Sequence, residues 1–136
     1  MERFSELLMD HFQDPQHRGA IPNASCIGSG NMQGHPPYVT IYLSIDNQIV
    51  KAAGFEAQSC GVTIACGSIL TELVEGMSPK QCQMLATMDI AMALGGIPPD
   101  KLHCADVVIQ ALHDAVDNWM CPSGVDDVKR NPPADP

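Results

Sequence analysis

The chain has 136 residues, 45% of them hydrophobic and 17% charged, which is the size and mix of one globular domain with a core of its own. Seven Lys and Arg against sixteen Asp and Glu give a formal net charge of -9. That balance excludes a broad electrostatic grip on nucleic acid or anionic lipid and leaves basic protein surfaces and metal cations as the natural partners. Six cysteines are too sparse for a disulfide scaffold, and no C-x-x-C pair occurs among them.

The opening residues mix charge with apolar side chains and lack the apolar run of a secretory signal. The longest uncharged stretch, Ala57 to Thr71, carries several polar residues and is too short to span a bilayer. The expectation is a cytoplasmic protein whose thiols stay reduced.

Residues 3–14 place Phe4, Leu7, Leu8 and Phe12 at helical spacing, and Pro15 ends the run, so an amphipathic opening helix is expected. From Gln16 to Pro37 the composition turns to Gly, Pro, Asn and Ser, with a short edge strand around Ser25 to Ser29 and a loop over Gln33 to Pro37. Tyr38 to Ile45 and Gln48 to Gln58, joined by Asp46-Asn47, read as a β-hairpin. After Ser59-Cys60-Gly61 the period becomes helical, with Ile64, Ile69, Leu70, Leu73 and Val74 as the packing side and Gly76 as the cap. Ser78-Pro79 has the chemistry of an N-cap and first turn for a helix to about Leu85, and Thr87 with Asp89 begins another that stops at Gly95-Gly96. Ile97-Pro98-Pro99 is a stiff linker. A long helix from about Cys104 to Trp119 follows, its buried stripe formed by Val107, Val108, Ala111, Leu112, Ala115, Val116 and Trp119.

This order predicts an α+β fold, a small antiparallel sheet of about three strands packed against helices. One domain is expected over residues 1–121, followed by a polar, Pro-rich tail over residues 122–136 with the composition of a disordered segment. The methionines between Met84 and Met92 read as adaptable core filling, and Cys26, Cys82 and Cys121 as packing or incidental thiols. His11 and His113 read as half-buried or surface helical positions.

Two cysteines fall where a helix begins: Cys60 after the second hairpin strand, and Cys104, behind His103, after the Pro-Pro linker. Exposed N–H groups and the positive end of the helix dipole favour the thiolate at such positions, the form that binds metal and attacks sulfur, and Lys101 adds a nearby cation. If both helices start on one edge of the sheet, Cys60, His103 and Cys104 converge as two thiolates and an imidazole, suited to zinc or an iron-sulfur cluster. Buried structural cysteines are the alternative, because 43 positions separate Cys60 from His103 and no local zinc-finger spacing is present.

The runs Cys60-Gly61-Val62-Thr63-Ile64-Ala65, Thr71-Glu72-Leu73-Val74-Glu75-Gly76 and Ile97-Pro98-Pro99-Asp100-Lys101-Leu102-His103-Cys104 resemble the NifU/IscU iron-sulfur cluster scaffold family. His11-Phe12-Gln13-Asp14-Pro15, with Gly19, is similar to that family's D-H-[YF]-x-x-P-x-x-x-G stretch. The resemblance runs from residue 4 to about 119 and implies a scaffold on which cysteines, with a histidine or aspartate, hold a nascent [2Fe-2S] cluster, iron or zinc. It further implies Cys60, His103 and Cys104 as ligands and Lys101 as a support for sulfur transfer. A cysteine desulfurase and recipient apo-proteins would be the partners, with the cluster held by one chain or shared in a homodimer. Ile97, Pro98, Pro99, Asp100 and Lys101 resemble the L-P-P-[VE]-K segment that some members present to an Hsp70-type chaperone, with Asp100 closer to the NifU-like variant.

One departure stands out. The family's first ligand loop reads close to G-x-P-x-C-G-D, whereas here Gly34-His35-Pro36-Pro37-Tyr38-Val39 sets Pro37 at the cysteine and Val39 at the aspartate. Neither side chain can bind iron. His35 and Cys66 are the candidate fourth ligands, against a solvent-exposed histidine and a buried core thiol as their ordinary readings. The loss also admits a degenerate homologue, zinc-binding or metal-free, that acts as a regulatory partner. An enzyme with Cys60 or Cys104 as nucleophile and His103 as base is disfavoured, because adjacent residues at a helix start rarely orient as such a pair.

Overall fold

The computed structural model describes residues 5–58 and 61–120. Its elements in chain order are α1 (Glu6–Gln13), β1 (Cys26–Met32), β2 (His35–Asp46), β3 (Ile49–Gln58), α2 (Gly61–Val74), α3 (Pro79–Met84), α4 (Thr87–Ala93) and α5 (Leu102–Met120), with a 3-10 turn at Pro99–Lys101 before the last helix. The strands form one antiparallel sheet in the order β1-β2-β3. No described helix is long and apolar enough to cross a membrane. The expected tail over residues 122–136, Cys121 and Phe4 lie outside the described residues.

Alternation makes the sheet one-sided. Val39, Ile41, Leu43 and Ile45 of β2 turn inward with Val50, Ala53 and Phe55 of β3, and α2 and α5 cover that face. The β2–β3 turn is Asn47-Gln48, both at positive φ (58° and 64°), one position beyond the expected pair. α5 packs hardest against β1, and the contact is made by glycine. A Cβ on Gly30 would lie 2.5 Å from the Val107 carbonyl oxygen, and one on Gly28 would overlap the Ala115 backbone. Behind β3, a Cβ on Gly67 of α2 would lie 2.5 Å from the Phe55 ring.

The segment after α1 straps onto the free edge of β3. The Gly19 N–H donates to the Phe55 carbonyl at 2.6 Å and the Phe55 N–H to that of His17 at 3.2 Å. From α1 and this strap, polar groups reach two buried hydroxyls of α2. The Gln16 N–H donates to Ser68 Oγ at 2.7 Å, His11 Nδ1 lies 2.7 Å from the same oxygen, and His17 Nδ1 lies 3.1 Å from Thr71 Oγ1. The far ring nitrogens face Glu72 and Glu75 at 3.8 and 3.6 Å. Ser5, the α1 N-cap, also donates its hydroxyl to the Leu94 carbonyl and ties α1 to the end of α4.

Four expectations need correction. The loop over Gln33 to Pro37 is only the turn Gln33-Gly34, both at positive φ, and Met32 already pairs with His35. Pro36 and Pro37, joined by a cis peptide bond, belong to the central strand. They fit because the β1–β2 register is broken between Gly30 and Met32 and pairing with β3 begins only at Tyr38, so no ladder donor is required of them. In the opening helix only Leu8 is buried, while Leu7 and Phe12 stay exposed, because one short helix lying on α2 hides a single stripe. In α2, Ile64, Ile69 and Leu73 are half-buried, and the inward positions are Val62, Ala65, Cys66, Leu70 and Val74. Finally, Met84, Met88 and Met92 are 79%, 57% and 74% exposed rather than core. The two short helices that carry this stretch bury only Pro79, Cys82, Ile90 and Ala91.

Candidate functional site

Contacts along α5 give the direction of the helix on the sheet. Moving from Gly28 to Gly30 on β1 shifts the α5 neighbours from Ala115 and Ala111 to Ala111 and Val107, so strand and helix run antiparallel. Two strand residues advance about 6.6 Å and four helix residues about 6 Å, so the step continues evenly and the β1–β2 turn lies alongside the first turn of α5. That end of the sheet also holds His35, paired with Met32, and Gln58, paired with Tyr38. Gly61 opens α2 shortly after Gln58.

α5 starts two residues earlier than expected. The Pro-Pro linker supplies Pro99 to the 3-10 turn, the Lys101 N–H donates to the Pro98 carbonyl at 2.8 Å, and the chain passes into the helix at Leu102. Cys104 therefore sits inside the first turn, fully buried, and the Leu102 N–H ahead of it donates to the Pro99 carbonyl. His103 beside it is exposed, and its Nε2 lies 3.7 Å from the Cys104 sulfur. Lys101 is half-buried one turn away. In the linker, Pro99 and Asp100 are exposed, Pro98 is buried and Ile97 is half-buried.

Cys60 and its neighbour Ser59 lie outside the described residues. Among the described residues no group of three or more His, Cys, Asp and Glu side chains is arranged to hold a metal ion. His35 is exposed at the start of β2, whereas Pro37 and Val39 are buried on the inner face of that strand. Cys66 is fully buried on α2. Cys26 and Cys82 are buried in the core, and burial pushes their thiols up to about 12 and about 11, with the nearby Cys82 adding to the rise at Cys26. They are protonated at neutral pH and make poor ligands and nucleophiles. His113 is half-buried with Nε2 3.0 Å from the Leu85 carbonyl, and His11 is taken by Ser68.

Phe12 bears on this end of the molecule, a role that reading it as part of an apolar stripe missed. A Cβ on Gly61 would lie 2.5 Å from its ring, so the ring closes against the first residue of α2 while His11 holds Ser68 farther along that helix. Phe12 thus braces the start of α2 and His11 its middle, and the signal was their place together in the D-H-[YF]-x-x-P stretch.

The NifU-like N terminal domain model matches residues 3–123. The chain is 32% identical over 123 residues to the iron-sulfur cluster assembly scaffold protein IscU of Aquifex aeolicus, covering 89% of this chain and 78% of that protein. It is 31% identical over 121 residues to IscU of Escherichia coli K12, covering 85% and 93% of the two chains. In fold it is similar to the crystal structure of the N-terminal part of a nitrogen-fixing NifU-like protein from Brucella abortus, with a TM-score of 0.68 at 13% identity over 85% and 92% of the two chains.

Proposed function

This chain belongs to the NifU-like N terminal domain family, and from that premise we propose that it is an iron-sulfur cluster assembly scaffold or carrier that holds iron, zinc or a [2Fe-2S] cluster as cargo through Cys60, His103 and Cys104. The observation that carries the reading is the pairing of Cys104 with His103, sulfur 3.7 Å from Nε2, in the first turn of α5. Supporting it, α2 begins beside the same end of the sheet, directly after Cys60 in the chain. Cys104 is fully buried, so the first turn of α5 must open to bring its sulfur out as a thiolate, and the half-buried Lys101 one turn away adds positive charge there. Such a thiolate attacks the outer sulfur of a persulfide on a cysteine desulfurase, the S–S bond breaks, the desulfurase leaves as thiolate, and the sulfur stays on the scaffold. This is carrier chemistry in the cytoplasm, not turnover of a substrate, and its product passes to recipient apo-proteins.

The fourth position is the open one. His35 is exposed at this end of the sheet and is open to a ligand, whereas Cys66 is buried and needs a locally unwound turn at Cys66-Gly67. A cluster shared between two chains fills the same need. In the linker, Pro99 and Asp100 are the residues open to an Hsp70-type chaperone. A second reading, a degenerate homologue that keeps zinc or no metal and acts as a regulatory partner, is favoured by one observation: Pro37 and Val39 are apolar and turned inward.

Anaerobic reconstitution with iron and sulfide, followed by absorption spectra and metal analysis, separates the two. The scaffold reading expects stoichiometric iron and sulfide that disappear in Cys60→Ala and Cys104→Ala. Protein that retains one zinc through dialysis and never accepts a cluster gives the site to the second reading.

A further inference from the structure

Outside this site, α3, α4 and α5 form an open groove of about 560 Å³ with two unlike sides. One is apolar, lined by Leu85, Ala86 and Ile109; the exposed Met84 and Met88 are the chain neighbours of the lining residues Leu85 and Thr87, and the exposed Met92 follows one turn after Met88. Met88 and Met92, four residues apart on α4, share one helical face. The other side is acidic: Asp106, Asp114 and Asp117 of α5 line it together with Gln110 and His113, and among the described residues no Lys or Arg does. Each carboxylate accepts one hydrogen bond, Asp106 from Thr87 Oγ1 at 2.9 Å, Asp114 from the Ser29 N–H at 3.0 Å and Asp117 from Gln83 Nε2 at 3.2 Å. None of the three donors is charged, so among the described residues these bonds leave the negative charge of the wall in place.

We propose that this groove docks a basic amphipathic helix of a partner protein, its apolar stripe on the methionines and its Lys or Arg side chains along the Asp wall. Methionine gives an adaptable apolar surface, and helix-in-groove recognition needs such a stripe flanked by complementary charge. From Asp106 to Asp117 the wall runs eleven residues of α5, about 16 Å, which matches three turns of a docked helix. A second copy of this chain fits badly, because a two-fold contact through the groove sets one acidic wall against another. Nucleic acid is excluded by the same charge. Since Asp106 lies two residues beyond Cys104, a helix seated here ends beside the candidate metal site, yet the groove is built without any metal ligand and the proposal stands apart from the cluster reading.

Selection of an unbiased phage-displayed peptide library on the intact protein tests this. The expected winners carry Lys or Arg with apolar residues at helical spacing, move the amide resonances of residues 85–90 and 106–117, and bind less tightly as salt rises. Met88→Glu and Asp117→Lys, both at exposed positions, are each expected to weaken them at least tenfold with circular dichroism and reconstituted iron unchanged. Failure to enrich, enrichment of acidic or uncharged peptides, shifts elsewhere, or indifference to both variants overturns the proposal. A dimer in sedimentation equilibrium that Met88→Glu dissociates gives the face to a second copy instead. Groove amides of the full chain that move on combined Lys129→Glu and Arg130→Glu give it to the chain's own segment.

Discussion

Gly28 of β1 lies against the backbone of Ala115 in α5 so closely that an added Cβ would sit 2.7 Å from the Ala115 Cα and nearer still to its amide nitrogen. Strand and helix cannot separate to admit a methyl without dragging the sheet off the longest helix, so Gly28→Ala is expected to cost about 3 kcal/mol. Gly34→Ala has nothing within 4 Å and pays only for its φ of +87°, about 1 kcal/mol. Urea unfolding of the two variants checks the difference in size.

What was legible in the sequence was local. Ser78 and Pro79 announced a helix start, and Ser78 and Gln81 form a reciprocal capping box there. The stripe of α5 was legible because six of its seven expected positions are buried, Trp119 alone being half-buried. The two prolines of β2 misled, since only the broken register beside them shows that no hydrogen bond is missing. Met84, Met88 and Met92 misled because helices of six and seven residues do not reveal by period which side faces the core. The contact between His11 and Ser68 spans 57 positions, beyond the reach of any periodicity. For the candidate site, the Pro-Pro linker and the helix after it were enough to set Cys104 at a helix start, while the antiparallel run of α5 on β1, which brings that start to the end of the sheet, rests on two glycine contacts.

Ser68 is fully buried and serves two groups, the Gln16 N–H and His11 Nδ1. Ser68→Ala leaves both without it, and an unsatisfied buried donor costs about 2 kcal/mol. The loss concentrates on the strap, so hydrogen exchange at the Gln16 amide should accelerate more than exchange in α5. Equal acceleration throughout would show that the hydroxyl supports the whole fold and not the strap.

The thiols of Cys26 and Cys82 predict how stability depends on alkaline pH. Their ordinary value is 9.0, and the fold raises them to about 12 and about 11. Below pH 9 both states keep the protons and the contribution is complete. Above it the unfolded chain ionises while the native chain does not, so the unfolded state binds fewer protons and stability falls as pH climbs toward the folded values. Denaturant unfolding between pH 8 and pH 11 should show the decline, and Cys82→Ala should flatten it. A slope unchanged by that substitution would assign the alkaline loss to other groups.

The outer edge of β1 is covered by side chains from α5. Gln110 Oε1 accepts from the Asn31 N–H at 3.0 Å, Asp114 Oδ2 from the Ser29 N–H at 3.0 Å, and Asn118 Nδ2 donates to the Ile27 carbonyl at 2.7 Å. These three residues recur every fourth position, so one face of the helix answers the period of the strand edge. An uncovered edge is a template for pairing with another chain, and Ile27, 48% exposed, adds an apolar side chain to it. Asp114→Ala is expected to lower stability by only about 1 kcal/mol, since the bond is exposed, but to speed aggregation well below the unfolding temperature. Asp117→Ala removes the same charge from the same helix while its partner is Gln83 and not the strand. Light scattering that rises for Asp114→Ala and stays low for Asp117→Ala ties the effect to the open edge, whereas equal rises would tie it to lost net charge.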